Sequence, residues 1–141
     1  MKHLLIIGAR GFGREVYRTF VRTKTFLSGE MDVKGFLDDK SDALDNLKGD
    51  WPPIIGSVES YEVQPDDMFF CALGDAHWRK HYAEIIKGKG GTFVNIIHPT
   101  ALVSAVATIG EGCCIGAFNS ISPNVTIGNH VMIQAYDNFG H

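Results

Sequence analysis

The sequence predicts an α/β fold in two parts: a small Rossmann-like domain with a parallel sheet, then an incomplete left-handed β-helix of hexapeptide repeats. The second part is indicated by a strict period, because from residue 97 a branched apolar or aromatic side chain recurs at every sixth position. The series is Ile97, Val103, Ile109, Ile115, Ile121, Ile127, Ile133 and Phe139. Neither a helix nor an alternating strand repeats in this way, whereas a coil of short strands around one apolar interior does. The earlier residues lack the period, so we assign residues 1–95 and 96–141 to separate domains.

The interior of the coil is expected to hold this series and a second, mostly small series four positions later. Cys113, Asn119 and Asp137 belong to the second series. Because three hexapeptides complete one coil, residues eighteen apart stack, and we expect the Asn119 amide to pair with the Asp137 carboxylate. Cys113 should face inward, and Cys114 should point away from it.

The composition argues against several classes of partner. The chain has 141 residues and a net charge of −3, so it offers no basic footprint for nucleic acid or anionic lipid. The longest early apolar run, Leu4 to Ile7, is far too short to span a membrane or to form a signal-peptide core. An odd count of cysteines, two of them adjacent, argues against a disulfide framework and for the cytoplasm. Without a CxxC pair, a zinc site built on cysteine is not expected.

The first domain alternates apolar strands with helices, which predicts a parallel sheet with right-handed crossovers. We predict strands at 3–8, 33–37, 54–56, 66–73 and 92–97, and helices at 14–26 and 76–87.

Two features of this domain point to a nucleotide. The Gly-rich turn Gly8–Gly13 joins the first strand to a helix and places backbone N–H groups where a phosphate could bind. Its spacing is GxxGxG rather than the dinucleotide pattern GxGxxG, and a tight turn that packs a helix on a strand explains it about as well. Asp38 and Asp39 end the second strand, where an acid commonly bonds a ribose or base. A solvated acidic loop is the alternative.

Three histidines are interpreted as non-catalytic. His77 and His81 lie four apart on the predicted second helix, but the residues between them are Trp, Arg and Lys, which would repel a cation. A solvated helix face is therefore favoured over a metal site. His98 precedes Pro99 at the entry to the repeats and is expected to cap a turn.

With both halves interpreted, the chain resembles the sugar O- and N-acetyltransferases that join a small Rossmann-like domain to a left-handed β-helix. That family includes sialic acid O-acetyltransferases and N-acetyltransferases of nucleotide-linked amino sugars. The resemblance covers the whole chain. It is carried by IIGARGFGREV at 6–16, GFLDD at 35–39, IIG at 54–56, CALGDAHWRK at 71–80, NIIHPTALVS at 95–104 and IQAYDNFGH at 133–141.

The resemblance implies transfer of an acetyl group from acetyl-CoA, as co-substrate, to an amine or hydroxyl of a nucleotide-linked or sialic-acid-like sugar, without a metal. It implies a catalytic base at His141, eight residues after the repeat position Ile133. It also implies a cytoplasmic homotrimer with acetyl-CoA between neighbouring β-helices. The implied substrate-binding residues are Arg10, Gly11 and Phe12 for the phosphates or sugar, Asp38 and Asp39 for a uridine-like end, and Gly74 in the same cleft.

The chain departs from the family pattern at three points. Phe12 stands where relatives often carry His, and Gln134 stands where relatives often carry Asn. The sequence also stops at His141, before the later coils, so we expect a truncated piece of a longer protein. The main alternative is therefore a non-catalytic nucleotide-sugar-binding fragment. A nucleotide-dependent oxidoreductase would need the GxGxxG spacing that the chain lacks.

Overall fold

The first part of the chain forms a four-stranded parallel sheet between helices. The computed structural model describes residues 1–135 and the short strand at 138–139. The strands are β1 (Lys2–Ile7), β2 (Met31–Leu37), β3 (Ile54–Gly56) and β4 (Asp67–Cys71), in the spatial order β3-β2-β1-β4. The helices are α1 (Gly11–Phe20), α2 (Lys24–Leu27) and α3 (Ala76–Gly88). The parallel-sheet prediction is confirmed.

The central strand β1 is apolar throughout its buried part because both faces of the sheet are covered. Leu4 and Ile6 pack on one face with Val16 and Phe20 of α1. Leu5 and Ile7 pack on the other face with the α3 side of the domain. Such continuous runs are typical of a parallel sheet buried on both sides.

The predicted helix at 14–26 is wrong in its extent, because the structure has two helices there. α1 begins earlier, at Gly11, and ends at Phe20. The Thr23 hydroxyl donates to the Phe20 carbonyl at 2.6 Å, and its oxygen accepts from the N–H of Phe26 at 3.4 Å to cap α2. A hydroxyl that bonds nearby backbone groups in this way competes with a continuous helix.

The predicted strand at 92–97 is also wrong, because it does not form one strand of the first sheet. Phe93 makes only an isolated bridge to Phe69 of β4. The side chain of Asn95 then accepts from the N–H of Cys113 and donates to the carbonyl of Gly110, both at 2.8 Å. These bonds attach residue 95 to the repeats, and the strand that follows, at 96–97, pairs with the strand at 114–115. The boundary between residues 95 and 96 stays a prediction.

Within the residues that the structure describes, the repeats form eight two-residue strands in three parallel sheets. They are β5 (Ile96–Ile97), β6 (Leu102–Val103), β7 (Thr108–Ile109), β8 (Cys114–Ile115), β9 (Ser120–Ile121), β10 (Thr126–Ile127), β11 (Met132–Ile133) and β12 (Asn138–Phe139). The sheet orders are β11-β8-β5, β12-β9-β6 and β10-β7. Ile97 therefore stacks on Ile115, and Ile115 on Ile133. The predicted coil of three hexapeptides is confirmed.

The members of the sixfold series from Ile97 to Ile133 line the interior of this coil, as predicted. Ile115, Ile121, Ile127 and Ile133 are buried there. The series members of the first coil, such as Ile109, are half-buried and pack against the same cluster.

The coil docks on α1 through side chains that point outward. Cys114 and Ile96 join the buried cluster that contains Val16 and Phe20, and Met132 packs against it. Cys113 lies in the interior cluster instead. The prediction that the two cysteines point apart is confirmed. The cluster that Cys114 and Ile96 share with Val16 and Phe20 packs the coil against α1.

Asn119 is the buried polar residue of the second series. It is 1% exposed, and its Nδ2 donates to the carbonyls of Gly116 at 2.9 Å and Gln134 at 2.7 Å. The Gln134 bond ties one coil to the next. Asp137 lies outside the described residues, so its pairing with Asn119 stays a prediction.

Candidate nucleotide-sugar site

A cleft of about 450 Å³ opens where β1, β2 and β4 end. Ile7, Leu37 and Ala72 mark those three strand ends in its wall. Because β1 has β2 on one side and β4 on the other, the cleft lies at the point where the strand order reverses. Open α/β sheets bind ligands at this position.

The loop from β1 to α1 presents an uncapped helix N-terminus to the cleft. The first N–H groups of a helix have no partner within it. Arg10 stands at the N-cap position without a side-chain cap bond, and the first turn contains no acidic residue. The partial positive charge of the helix end is therefore left for an anion.

The glycines of this loop also have a packing role. Gly8 has φ of +98°, in the left-handed region that glycine tolerates. A Cβ on Gly13 would overlap the carbonyl oxygen of Gly8. The Gly-rich stretch is therefore also a tight turn, as the alternative interpretation of its spacing predicted. This turn packs α1 directly on the end of β1.

The two acids at the end of β2 have different surroundings. Asp38 accepts the N–H of Ala9 on Oδ2 and the N–H of Lys40 on Oδ1, each at 2.9 Å. Its carboxylate therefore joins the β1–α1 loop to the end of β2. Asp39 is exposed and accepts from the hydroxyl of Tyr82 on Oδ2 at 3.1 Å.

An aromatic pair from α3 also lines the cleft. Trp78 and Tyr82 lie one helical turn apart, with ring centroids 6.0 Å apart and ring planes inclined by 30°. Burial, with a smaller contribution from Asp39, raises the pKa of Tyr82 to about 12, so the phenol stays protonated and donates. Sequence analysis did not identify this pair, because two aromatic residues four apart on a helix usually indicate a buried face.

The loop before α3 is held by its own hydrogen bonds. Asp75 caps the helix by accepting the N–H of Trp78 at 3.1 Å. Arg79 donates through Nη1 to the carbonyls of Leu73 at 2.9 Å and Gly74 at 3.1 Å. These bonds fix the rim of the cleft on the side of Trp78.

Most of the predicted substrate-binding residues line this one cleft: Arg10, Phe12, Asp38, Asp39 and Gly74. Gly11 instead lines an adjoining groove of about 900 Å³ between α1 and the coil. Phe12 and Gly74 border both spaces, so the cleft continues into the groove. His141, the predicted base, lies outside the described residues.

His77, His81 and His98 have the structural surroundings that the sequence predicted. His77 and His81 are exposed on α3, and each ring lies edge-on to Trp78. His98 accepts the N–H of Thr100 on Nδ1 at 3.1 Å and so caps the turn into the repeats. Burial lowers the pKa of His98. Because Nδ1 accepts the Thr100 N–H, the neutral form of the ring has its proton on Nε2.

Neither a membrane-spanning helix nor a cluster of metal ligands occurs among the described residues. Within the part of the chain that the structure describes, no helix is long and apolar enough to cross a bilayer. In the same part, no three His, Cys, Asp or Glu side chains are grouped closely enough to hold a metal ion.

Comparison with known proteins finds matches along most of the chain. Residues 3–86 match the family model described as the PglD N-terminal domain, and residues 106–136 match the bacterial transferase hexapeptide repeats. A curated relative, the UDP-N-acetylbacillosamine N-acetyltransferase of Bacillus subtilis, is 33% identical over 119 residues. That match covers 83% of this chain and 52% of the relative, so the chain spans about half of the relative's length.

Two solved structures share the fold. PerB from Caulobacter crescentus, in complex with CoA and GDP-perosamine, superposes with a TM-score of 0.70 at 21% identity, over 98% of this chain and 65% of PerB. The acetyltransferase domain of PglB from Neisseria gonorrhoeae, in complex with acetyl coenzyme A, superposes with a TM-score of 0.62 at 25% identity, over 97% of this chain and 69% of that domain. The parallel-sheet domain, the repeats and the family-model match together show that the chain belongs to the PglD N-terminal domain family of hexapeptide-repeat proteins.

Proposed function

We propose that the chain binds a nucleotide-linked amino sugar and acts in an acetyl-CoA-dependent sugar N-acetyltransferase. The observation that carries the proposal is the single cleft in which the uncapped N-terminus of α1 and the acidic end of β2 meet. A nucleotide sugar carries the two matching groups, an anionic diphosphate and a nucleoside with hydrogen-bond donors.

The two ends of the cleft suggest the orientation of the ligand. The diphosphate would take the N–H groups at the start of α1, with Arg10, Gly11 and Phe12 around it. Asp39 would accept from the ribose or base, because it is exposed and within the described residues only Tyr82 donates to it. Asp38 would act on the ligand through the loop that it holds.

The groove between α1 and the coil would take the sugar. It adjoins the cleft at Phe12 and Gly74, and its far wall is formed by coil residues including Cys114 and Gln134. A sugar attached to the diphosphate would therefore extend through this groove to the surface of the repeats. The proposed role of Gly74 is to leave this passage open, and no atom lies within 4 Å of a Cβ built there.

The proposed reaction is attack of the sugar amine on the thioester carbonyl of acetyl-CoA. A C–N bond forms, the C–S bond breaks, CoA leaves as the thiolate, and the amine loses a proton. His141 is the proposed base, since an imidazole with an ordinary pKa of about 6.5 is largely neutral near pH 7. An amine acceptor is favoured over a hydroxyl because the B. subtilis relative is an N-acetyltransferase.

Acetyl-CoA is the proposed donor, and a homotrimer in the cytoplasm is the proposed setting. The PglB domain that shares this fold was solved with acetyl coenzyme A, which supports the donor. The three cysteines are free and buried, which fits a reducing compartment.

The test has two stages. Isothermal titration of this chain with UDP-linked and GDP-linked amino sugars should show saturable binding, and absence of binding to the whole panel would contradict the proposal. Mass spectrometry should then show a gain of one acetyl group on the bound sugar when acetyl-CoA is added. The His141→Ala variant should lower that turnover by about two to four orders of magnitude while leaving binding unchanged. Binding without any transfer would favour the alternative, a non-catalytic nucleotide-sugar-binding fragment.

A further inference from the structure

Trp78 is a large apolar side chain that the fold leaves open to the cleft. It is 48% exposed, although it stands in the first turn of a helix whose other face is buried. Packing of the core does not account for its position, because Trp78 lies outside the cluster that buries Ala83 and Ile86 of the same helix. An indole on the wall of a cleft offers a flat apolar face to a planar ligand.

The ring of Trp78 is held in place from several sides. His77 and His81 meet it edge-on, with centroids at 5.2 Å and 5.4 Å. Tyr82 stacks beside it, and the Tyr82 hydroxyl is fixed in turn by Asp39. A chain of contacts thus connects the acid at the end of β2 to the indole on α3. Such support reduces the entropy that a ligand would lose in ordering the ring.

We infer that Trp78 is the platform on which the nucleobase of the bound nucleotide stacks. The inference rests on the proposed function, which places a nucleotide in this cleft. It adds a residue that sets affinity for the base. Every nucleobase has a π-face, so stacking on an indole strengthens binding with little dependence on the base. Choice between bases would be left to the polar groups nearby, Asp39 among them.

The geometry separates this role from that of Trp51, the other tryptophan of the chain. Trp51 packs edge-on against Tyr17 of α1, under the guanidinium groups of Arg14 and Arg18. It lies outside the cleft lining. Trp51→Phe is therefore a matched control, and it leaves Trp78 as the single tryptophan for fluorescence.

The experiment titrates UDP and GDP into the unaltered chain and into Trp78→Ala, Trp78→Phe and Trp51→Phe. We expect Trp78→Ala to weaken binding of the diphosphates by about 5- to 150-fold, the range for loss of one base–aromatic stack. Trp78→Phe should retain most of the affinity, and Trp51→Phe all of it. In the Trp51→Phe protein, whose only indole is Trp78, saturation with the nucleotide should quench or shift the fluorescence.

Three results would overturn the inference. Unchanged affinity of Trp78→Ala for UDP and GDP would exclude a stack on the base. Weakened binding of a nucleotide sugar, with UDP and GDP unaffected, would move Trp78 to the sugar instead. Unaltered fluorescence at saturation would contradict the stack even if Trp78→Ala failed to fold. Failure of the proposed function is distinguishable from all three, because the unaltered chain would then bind no nucleotide.

Discussion

The carboxylate of Asp38 accepts the backbone N–H of Ala9 at 2.9 Å and thereby joins the end of β2 to the loop that starts α1. Its other oxygen accepts the N–H of Lys40 at the same distance. Asp39, the next residue, is exposed and bonds only the Tyr82 hydroxyl within the described residues. Substitution of Asp38 should therefore mainly lower stability, and substitution of Asp39 should mainly weaken nucleotide binding.

Asp38→Ala should lower the free energy of unfolding by about 1–3 kcal/mol, because it leaves two backbone donors without their acceptor. Asp39→Ala should change it by less than about 0.5 kcal/mol, as is usual for an exposed side chain. The same Asp39→Ala variant should weaken nucleotide binding by about tenfold or more. Urea unfolding and calorimetric titration of both variants measure the two effects. Equal stability of the two variants would contradict the loop-holding role of Asp38.

Gly13→Ala should be strongly destabilising, because the added methyl group would overlap the Gly8 carbonyl oxygen. We expect a loss of about 3 kcal/mol or more in urea unfolding, at the upper end of overpacking effects. Gly88→Ala is the matched control, since no atom lies within 4 Å of a Cβ built at that end of α3. It should be neutral or slightly stabilising. A tolerated alanine at residue 13 would show that the close contact of α1 and β1 is not required.

A buried carboxylate on the edge of the first sheet should make stability depend on acid pH. Asp67 accepts from Tyr61 at 2.6 Å, from the N–H of Gln64 at 2.8 Å and from Lys34 at 3.1 Å. Burial alone would raise the pKa of Asp67, but these bonds together lower it below its ordinary value of 3.8. Its stabilising contribution is therefore full above about pH 4 and is lost as the pH falls through the lowered pKa.

Urea unfolding of the unaltered chain at pH 6 and pH 3 should show that acid loss. The Tyr61→Phe variant removes the hydroxyl, which donates to Asp67 and accepts from Lys34 Nζ, each at 2.6 Å. It keeps the ring, which packs edge-on against Phe69. It should lower stability at pH 6 by about 1–2 kcal/mol and reduce the difference between the two pH values. If the free energies of unfolding at pH 6 and pH 3 differ as much in Tyr61→Phe as in the unaltered chain, other carboxylates cause the loss of stability in acid.

The repeats were predictable because each hexapeptide contributes its own apolar residue to the interior. The pattern therefore depends only on residues that are close in the sequence. The break in the first helix was missed because one hydroxyl, that of Thr23, decides it. The path of the chain after Phe93 depends on bonds from Asn95 to residues more than fourteen positions away. A pattern of apolar spacing contains no information about such bonds.

Part of the cleft was predictable because, like the repeats, it is marked by local patterns in the sequence. The Gly-rich turn and the acids after β2 are local signals at strand ends, and the structure brings them together. The aromatic wall was missed because two aromatic residues four apart on a helix usually indicate a buried face. Only the packing of α3 on the sheet determines that Trp78 opens to the cleft while Ala83 and Ile86 are buried.

The most direct test of nucleotide binding in the cleft is an amide chemical-shift titration of the ¹⁵N-labelled chain with UDP and with GDP. We expect the largest changes at Gly11, Phe12 and Gly13, with further changes at Asp39 and at the indole N–H of Trp78. The interior amide of Ile121 in the repeats should stay unchanged and serves as the internal control. Changes confined to the repeats, or no changes at saturating UDP and GDP, would contradict a nucleotide site at the start of α1.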